Sequence, residues 1–453
     1  MSVDTVSLTG WGRTAPTTAV RFRPRTYEEA AAVVRGRGPR GALARGLGRA
    51  PGDAAQNAGG SVLDMTGLDR IRALDEVAGT VRCDAGVSLE RLLRVLPPRG
   101  WFPPVVPGTG RITVGGAIGS DVHGLDHPAA GSLARQVVAL ELLTADGEVR
   151  TVAPGTALFD ATAGGLGLTG VILSATLRLK RVATGLISVS TERARDLDDL
   201  LARFTSGGDR MPYASAWVDL SARGRAAGRG VLTRGEHAPL AVLPAHARRT
   251  ATWRQREPWA AALSALPGGL LGPAAATLAD EVRYRSAPRA RSGELRTPAA
   301  FFHPLDAAPA ADRLHALSTG RSGLVRYRFT VGYGQEEALG RVVRRIAARR
   351  CPALRAGLQR FGAASPGWLS FPAPGWALTV ELPAALPGLG RFLDGLDAEV
   401  AAAGGRVCLA QDSRMRPETA AAMYPRLPEF RQLRAELDPT GAFRSDLARR
   451  LDL

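Results

Sequence analysis

The sequence predicts an α+β protein built as two units, the second carrying an antiparallel sheet. Three observations predict it. Short strand-like and helix-like runs separated by glycine turns alternate up to about residue 180. Near residue 185 the texture changes to helical runs rich in Ala and Arg mixed with strands such as YASAWVDL, LVRYRFTVG and WALTVEL. A length of 453 residues also exceeds one ordinary compact core. The expected boundaries place one unit at 1–184, completed by 406–453, and the other at 185–405.

Thr26 and Glu29 form a capping-box pattern that opens the helical run EEAAAVVR, Thr26 as N-cap and Glu29 reaching back. The turn-rich GLGRAPGDAAQNAGG follows, then strand-like SVLDM and TVRCDA. A helix is expected to start at Ser88 and stop at Pro97-Pro98. Residues 138 to 153 read as a hairpin turning at Ala145-Asp146-Gly147-Glu148. Alternation of Val171, Leu173, Ala175, Leu177 and Leu179 with mostly polar partners predicts a half-buried strand. In the tail a helix ends near Asp438-Pro439, and the last segment is expected to pack back on the first unit.

Composition excludes several classes. Hydrophobic residues at 45% and charged residues at 22% fit a folded chain, and no run reaches the ~18 apolar residues of a bilayer span. The start MSVDTVSLTGWGR lacks a secretory pattern, so a cytoplasmic location is expected, with peripheral membrane contact still open. Cys83, Cys351 and Cys408 are scattered without ligand spacing, which suggests neither disulfides nor a metal site. Of a formal net charge of +17, only Lys180 is lysine, and it closes a strand-like run where a snorkelling surface residue is expected. The arginines are spread along the chain, so no nucleic-acid partner is expected.

The strongest local signal is a pair of glycine-rich stretches, Arg45-Gly46-Leu47-Gly48-Arg49 and Pro107-Gly108-Thr109 with Thr113-Val114-Gly115-Gly116-Ala117. Glycines aim backbone N–H groups at an anion and permit close approach, so two such loops can clamp a diphosphate. Neither is a Walker loop or a dinucleotide fingerprint, and ordinary tight turns remain the alternative on glycine content alone.

Order and spelling carry a resemblance. The segments ARGLGRAPGDAAQNAGG, VPGTGRITVGGAIGSDVHG, LLTADGEVR, ATAGGLGLTGVI, FFHPLD, SFPAPGW, QDSR, AMYPR and DPTGAFRSDLARRLDL resemble the vanillyl-alcohol-oxidase/p-cresol-methylhydroxylase type of FAD flavoprotein. Over nearly the whole chain they are similar to its decaprenylphosphoryl-ribose 2′-oxidase branch, the flavin half of an arabinose-forming epimerase. The resemblance implies non-covalent FAD, since the first loop offers no histidine or cysteine for attachment. It implies Gly46, Leu47, Gly48, Arg49 and Asn57 along the diphosphate and ribityl chain. Pro107, Gly108, Thr109, Thr113, Gly115, Gly116 and Ala117 would form the second wall, with Asp121, Val122, His123, Cys408 and Gln411 beside the flavin and Gly167 and Ile172 on the adenine side.

The same resemblance places His123, Gln411, Arg326, Arg328, Thr379, Phe302, Gln359 and Trp217 around the substrate. It implies oxidation of a sugar hydroxyl to a ketone, by hydride transfer to flavin N5, that a separate NAD(P)H-dependent reductase could complete as an epimerisation. Here the chain departs from the branch. Lysines are replaced by Gln411, Gln359 and Leu125, tyrosines by Pro51 and Phe302, a reactive cysteine by Thr379, and two glutamines by Arg326 and Arg328.

In LVRYRFTV, Val325, Tyr327, Phe329 and Val331 share one strand face while Arg326, Arg328 and Thr330 share the other. Two guanidinium groups on one face can fork onto a phosphate or carboxylate, or lie solvated on an outer surface. His123 can tune the flavin or bond the substrate, or be a histidine satisfied by backbone. Trp217 floors the pocket or is simply core. An anionic or sugar-containing small molecule is the expected substrate. Oxidation of a non-sugar alcohol or amine, an oxidative rearrangement and a non-catalytic basic binding protein are the alternatives.

Overall fold

The computed structural model describes residues 1–206, 211–243, 273–303 and 322–453. Pro304 to Asp306 of the FFHPLD segment lie outside them. Three sheets carry the architecture. The first has strand order Ser2–Leu8, Thr17–Arg23, Ser61–Asp64, Ala42–Arg45, with the last two junctions parallel. The second is antiparallel in the order Ile71–Asp75, Thr80–Asp84, Val171–Arg178, Val137–Leu143, Val149–Val152. The third has eight antiparallel strands: Ala290–Arg296, Ile187–Ala194, Gly230–His237, Tyr213–Val218, Arg355–Phe361, Gly375–Pro383, Leu324–Val331 and Arg406–Val407.

Most local signals have a clear physical counterpart. Thr26 Oγ1 accepts from Glu29 N–H at the start of the Tyr27–Arg35 helix. Glu29 reaches back, however, to the N–H of Arg25 at 2.7 Å, one residue before the cap, and also holds the Met1 amino group. Ser88 caps Leu89–Val95. Thr144 and Glu148 close the hairpin turn.

The Val171–Arg178 strand differs from expectation. It sits at the centre of its sheet and is buried on both faces, not one. Val171 and Leu173 pack with Ala30, Val34 and Phe443, while Ile172, Ala175 and Leu177 pack with Phe159, Leu140 and Val81. Its buried Ser174 is satisfied by the Glu141 carboxylate, which makes a polar position tolerable there.

The eight-stranded sheet is two-faced. Val325, Tyr327, Phe329, Leu378, Val380 and Leu358 pack against Leu339, Val342, Val343 and Ile346 of the Glu336–Ala348 helix and Leu393 and Leu396 of the Leu389–Ala402 helix. That helix face repeats at i, i+3, i+4 and i+7, as burial against a sheet demands. The opposite face, with Arg326, Arg328, Thr379 and Gln359, turns toward the first two sheets.

The tail crosses between them. After Arg406–Val407 joins the large sheet, Ala42 N–H donates to Ala442 O and Arg444 N–H to Ala42 O, and the Asp446–Leu451 helix closes against Asp53, Asn57 and Ala58. No described helix is long and apolar enough to cross a membrane.

Candidate functional site

The first glycine loop is strapped from beneath. Arg45 donates to Ala55 O and Thr9 O, both at 2.7 Å, and Gln56 bonds Gly10 N–H, Leu8 O, Ala15 O and Thr17 Oγ1. Gly48 has φ +64, the left-handed region that favours glycine. Among the described residues the N–H groups of Gly46, Leu47 and Gly48 are not spent on protein carbonyls, and Leu47 stands exposed at the tip. Arg49 follows, half-buried.

The second stretch meets this loop directly. A Cβ at Gly46 would stand 2.1 Å from Thr113 Oγ1, and one at Gly115 would stand 2.8 Å from Ala85 Cβ. Thr113 also caps the Val114–Gly119 turn through Gly116 N–H. Pro107 and Ala117 are buried and Gly108 and Thr109 line the outer part, with open space over Gly108. Leu166 N–H bonds Gly119 O, which brings Gly167 (φ +76) alongside, and Ile172 lies buried below. Asn57 is fully buried and spends its amide on Gly41 O, Ser61 O and Arg449, so it braces the loop from behind.

Beyond the glycine turn, Asp121 adopts φ +40 and is clamped by Ala134 N–H and by Ser370 Oγ at 2.6 Å. Burial pushes its carboxyl pKa upward. This pins Val122 and His123 against the segment that carries Ser370.

The His123 ring is buried, 4.6 Å centroid to centroid from Phe361, and neither of its nitrogens has a hydrogen-bond partner among the described residues. Burial, then Arg328, then His127 hold its pKa well below 6.5, so the ring is neutral. His127, four residues on, accepts from Gly362 N–H through Nδ1 and is pushed down to about 4 by burial.

Strand register assembles the facing wall. Arg328 pairs with Thr379, Thr379 with Gly357, and Gly357 with Trp217, so four strands place these positions in one row. Gly357 puts no side chain between Thr379 and Trp217, where a Cβ would meet Ala216 O at 3.7 Å. Trp217 is half-buried and stacks under Arg283 at 4.7 Å.

Arg328 donates to Gln359 Oε1, lies over Phe361 and Phe371, and keeps a buried Nε without a partner. Burial lowers its pKa to about 10, leaving it charged at neutral pH. Cys408 N–H bonds Arg328 O, and three residues on Gln411 N–H bonds Cys408 O, with Gln411 Oε1 also buried without a partner among the described residues. The Cys408 thiol is pushed up to about 11 by burial and is therefore inert.

Two expectations change. Arg326 and Arg328 do share a face, but Arg326 is bound by Glu381 through Nε and Nη2 and stacks on Trp11, so its charge is met inside the protein. A joint grip by both arginines is therefore not available, and no carboxylate pairs with Arg328 among the described residues. Lys180 is half-buried instead of snorkelling, with Nζ 3.5 Å from Tyr213 Oη and over that ring. Phe302 lies apart from the row, in an aromatic cluster with Phe102, Tyr213 and Phe301.

Sequence reasoning missed His127, Phe361, Phe371 and Ser370. The His-x-x-x-His spacing of 123 and 127 was readable, whereas the other three arrive from a segment more than 200 residues away.

These features fit FAD: a cradle between two loops that a methyl at Gly46 would fill, and unpartnered buried polar atoms of His123, Arg328 and Gln411. Comparison with known proteins agrees. Residues 18–153 match the FAD binding domain family. The chain is 38% identical over 456 residues to the decaprenylphosphoryl-beta-D-ribose oxidase of Mycolicibacterium smegmatis, covering 99% of this chain and 98% of that one. It is 54% identical to an uncharacterized Streptomyces coelicolor protein from the mprA 5′ region, over 81% of this chain and all of that one. An alditol oxidase from a Streptomyces species is 34% identical over 38% of this chain and 42% of its own. The chain belongs to the vanillyl-alcohol-oxidase/p-cresol-methylhydroxylase type of FAD-dependent oxidoreductases acting on CH–OH groups, the family that includes decaprenylphosphoryl-beta-D-ribose oxidase.

Proposed function

We propose that the chain oxidises a secondary hydroxyl of a sugar or sugar-containing substrate to a ketone, and that the substrate bears an anionic group held by Arg328. The observation that carries this reading is that His123 and Arg328, both packed on Phe361 and Phe371, keep buried polar atoms without a partner among the described residues, as does Gln411 three residues past the Cys408 bonded to Arg328. Unsatisfied buried groups are costly, so their clustering signals a ligand that satisfies them.

Bound FAD, held without a covalent link, supplies the two-electron acceptor for the carbinol hydrogen. The neutral His123 ring accepts a hydrogen bond from the substrate hydroxyl and orients it. Its depressed pKa makes it a relay toward water rather than a lasting proton store. Arg328 fixes the anionic end by a charge-assisted bond, with Gln359 holding the guanidinium in place. Phe361 and Phe371 exclude water from that charge. Trp217 and Thr379 bound the remaining space in register with it.

In this reading residues 1–184 with 406–453 hold the cofactor and 185–405 shape the substrate. The ketone product is the class of compound that a separate NAD(P)H-dependent reductase would return as an epimer. The test is anaerobic bleaching of the FAD-loaded protein with a panel of sugar phosphates, nucleosides, neutral sugars and non-sugar alcohols and amines. Bleaching by the sugar phosphates supports the reading, bleaching by neutral sugars or nucleosides alone removes the anionic group from it, and bleaching only by the non-sugar members replaces it.

A further inference from the structure

A second cleft, of about 300 Å³, lies on the first unit and shares no residue with the site above. It is lined by Arg23, Arg25, Arg70 and Arg72 together with Thr66, Gly67, Asp69 and Asp84. The arginines come from three places: the end of the Thr17–Arg23 strand, the turn before the first helix, and the Ile71–Asp75 edge strand with the residue before it.

Its two carboxylates are already committed. The buried Asp84 takes Arg72 Nε and Arg70 N–H, with Tyr27 Oη at 3.4 Å, and Asp69 takes Arg91. Glu29, on the adjoining helix, is bound to Met1 and the Arg25 backbone, and feels the Arg25 charge only beyond ion-pair distance. Among the described residues no carboxylate therefore lies within ion-pair distance of the guanidinium groups of Arg23, Arg25 or Arg70.

The cleft wall is held in shape. A Cβ at Gly67 would stand 2.1 Å from Pro24 O, so the Thr66–Gly67 turn lies directly against the segment carrying Arg23 and Arg25. Thr66 is fixed in turn, by both its N–H and its hydroxyl, on Asp64. Three arginines without a carboxylate in ion-pair distance line one shaped polar cleft, and like charges gathered there favour a multiply charged anion. Planar forks match phosphate oxygens better than a single carboxylate, because several N–H donors can be used at once.

From this geometry we infer that the cleft is a second binding site, for a phosphate-bearing ligand, separate from the flavin and its substrate. The site does not depend on the reading of the oxidation chemistry. Its ligand is a phosphate monoester or diphosphate, free in solution or carried on a lipid headgroup.

The test uses the full chain loaded with FAD, so that the flavin loops are filled. Calorimetric titration with inorganic pyrophosphate is expected to show saturable one-to-one binding. It is expected to weaken by about tenfold or more in Arg23→Gln/Arg70→Gln. A control, Arg344→Gln/Arg391→Gln, removes the same charge from exposed positions elsewhere and is expected to bind as the parent does.

Sedimentation with phosphatidylcholine vesicles containing phosphatidate separates the two sources. Retention lost in Arg23→Gln/Arg70→Gln supports the site with a lipid-borne phosphate, and pyrophosphate binding without retention supports it with a soluble one. Equal weakening in both double variants overturns the site, as does the absence of both saturable pyrophosphate binding and variant-sensitive retention.

Discussion

Arg326 and Arg328 stand two residues apart on one strand and point the same way, yet their surroundings give them different work. Glu381 lies opposite Arg326 in register and is almost wholly buried, so that pair neutralises itself. Opposite Arg328 stands Thr379, which carries no charge. Arg328→Gln is expected to lower kcat/KM about tenfold to a hundredfold, the worth of one charge-assisted bond of roughly 1.5–3 kcal/mol, with FAD content unchanged. Arg326→Ala is expected instead to destabilise the fold by about 3 kcal/mol, because it strands the Glu381 carboxylate. Steady-state kinetics and denaturant unfolding of the two variants check the split, and the reverse pattern would count against Arg328 as the anion anchor.

At the scale of elements, the cofactor site depends on close approach between segments distant in sequence. Gly46 lies against Thr113, and a Cβ at Gly52 would stand 1.7 Å from Asp412 O of the QDSR segment. Gly46→Ala is therefore expected to force the two loops apart and abolish or strongly reduce FAD loading, with the fold retained. Visible flavin absorbance per protein after reconstitution reads this out directly, and near-parental loading would show that the loops are not the cradle.

For the whole molecule, buried titratable groups set the pH dependence of stability. His127 and His237 are both pushed down to about 4, by burial first and then by nearby cations. As pH falls from about 6.5 toward 4, the unfolded chain binds two protons that the folded chain refuses, so stability falls. Asp126, raised to about 7 by burial, acts in the opposite sense. It keeps a proton in the folded state that the unfolded chain loses above about pH 4, so its share of stability falls as pH rises from there to 7. His123, held low by burial as well, adds to this acid-side limb, while Asp280, raised to about 7 by burial, joins Asp126 against it. His127→Asn is expected to flatten that limb, and unfolding measured between pH 4.5 and 7 checks it against the parent.

Much of this molecule is legible in the chain itself, because local signals act over a few residues. The Thr26 and Ser88 caps, the turn after Leu143 and the glycine loops follow from nearest-neighbour chemistry. The two faces of LVRYRFTV follow from a period of two. What the alternation leaves open is which face looks into the molecule. The Leu324–Val331 strand shows its polar face to the flavin loops only because the Glu336–Ala348 and Leu389–Ala402 helices cover the other. Likewise Val171–Arg178 is buried on both sides because it became a central strand. The fate of each arginine is set by a residue more than 50 positions later, brought opposite by strand register. Pairing over such distances is decided when the sheet closes, since nothing in the local spacing tells one guanidinium that a carboxylate awaits it and the other that none does.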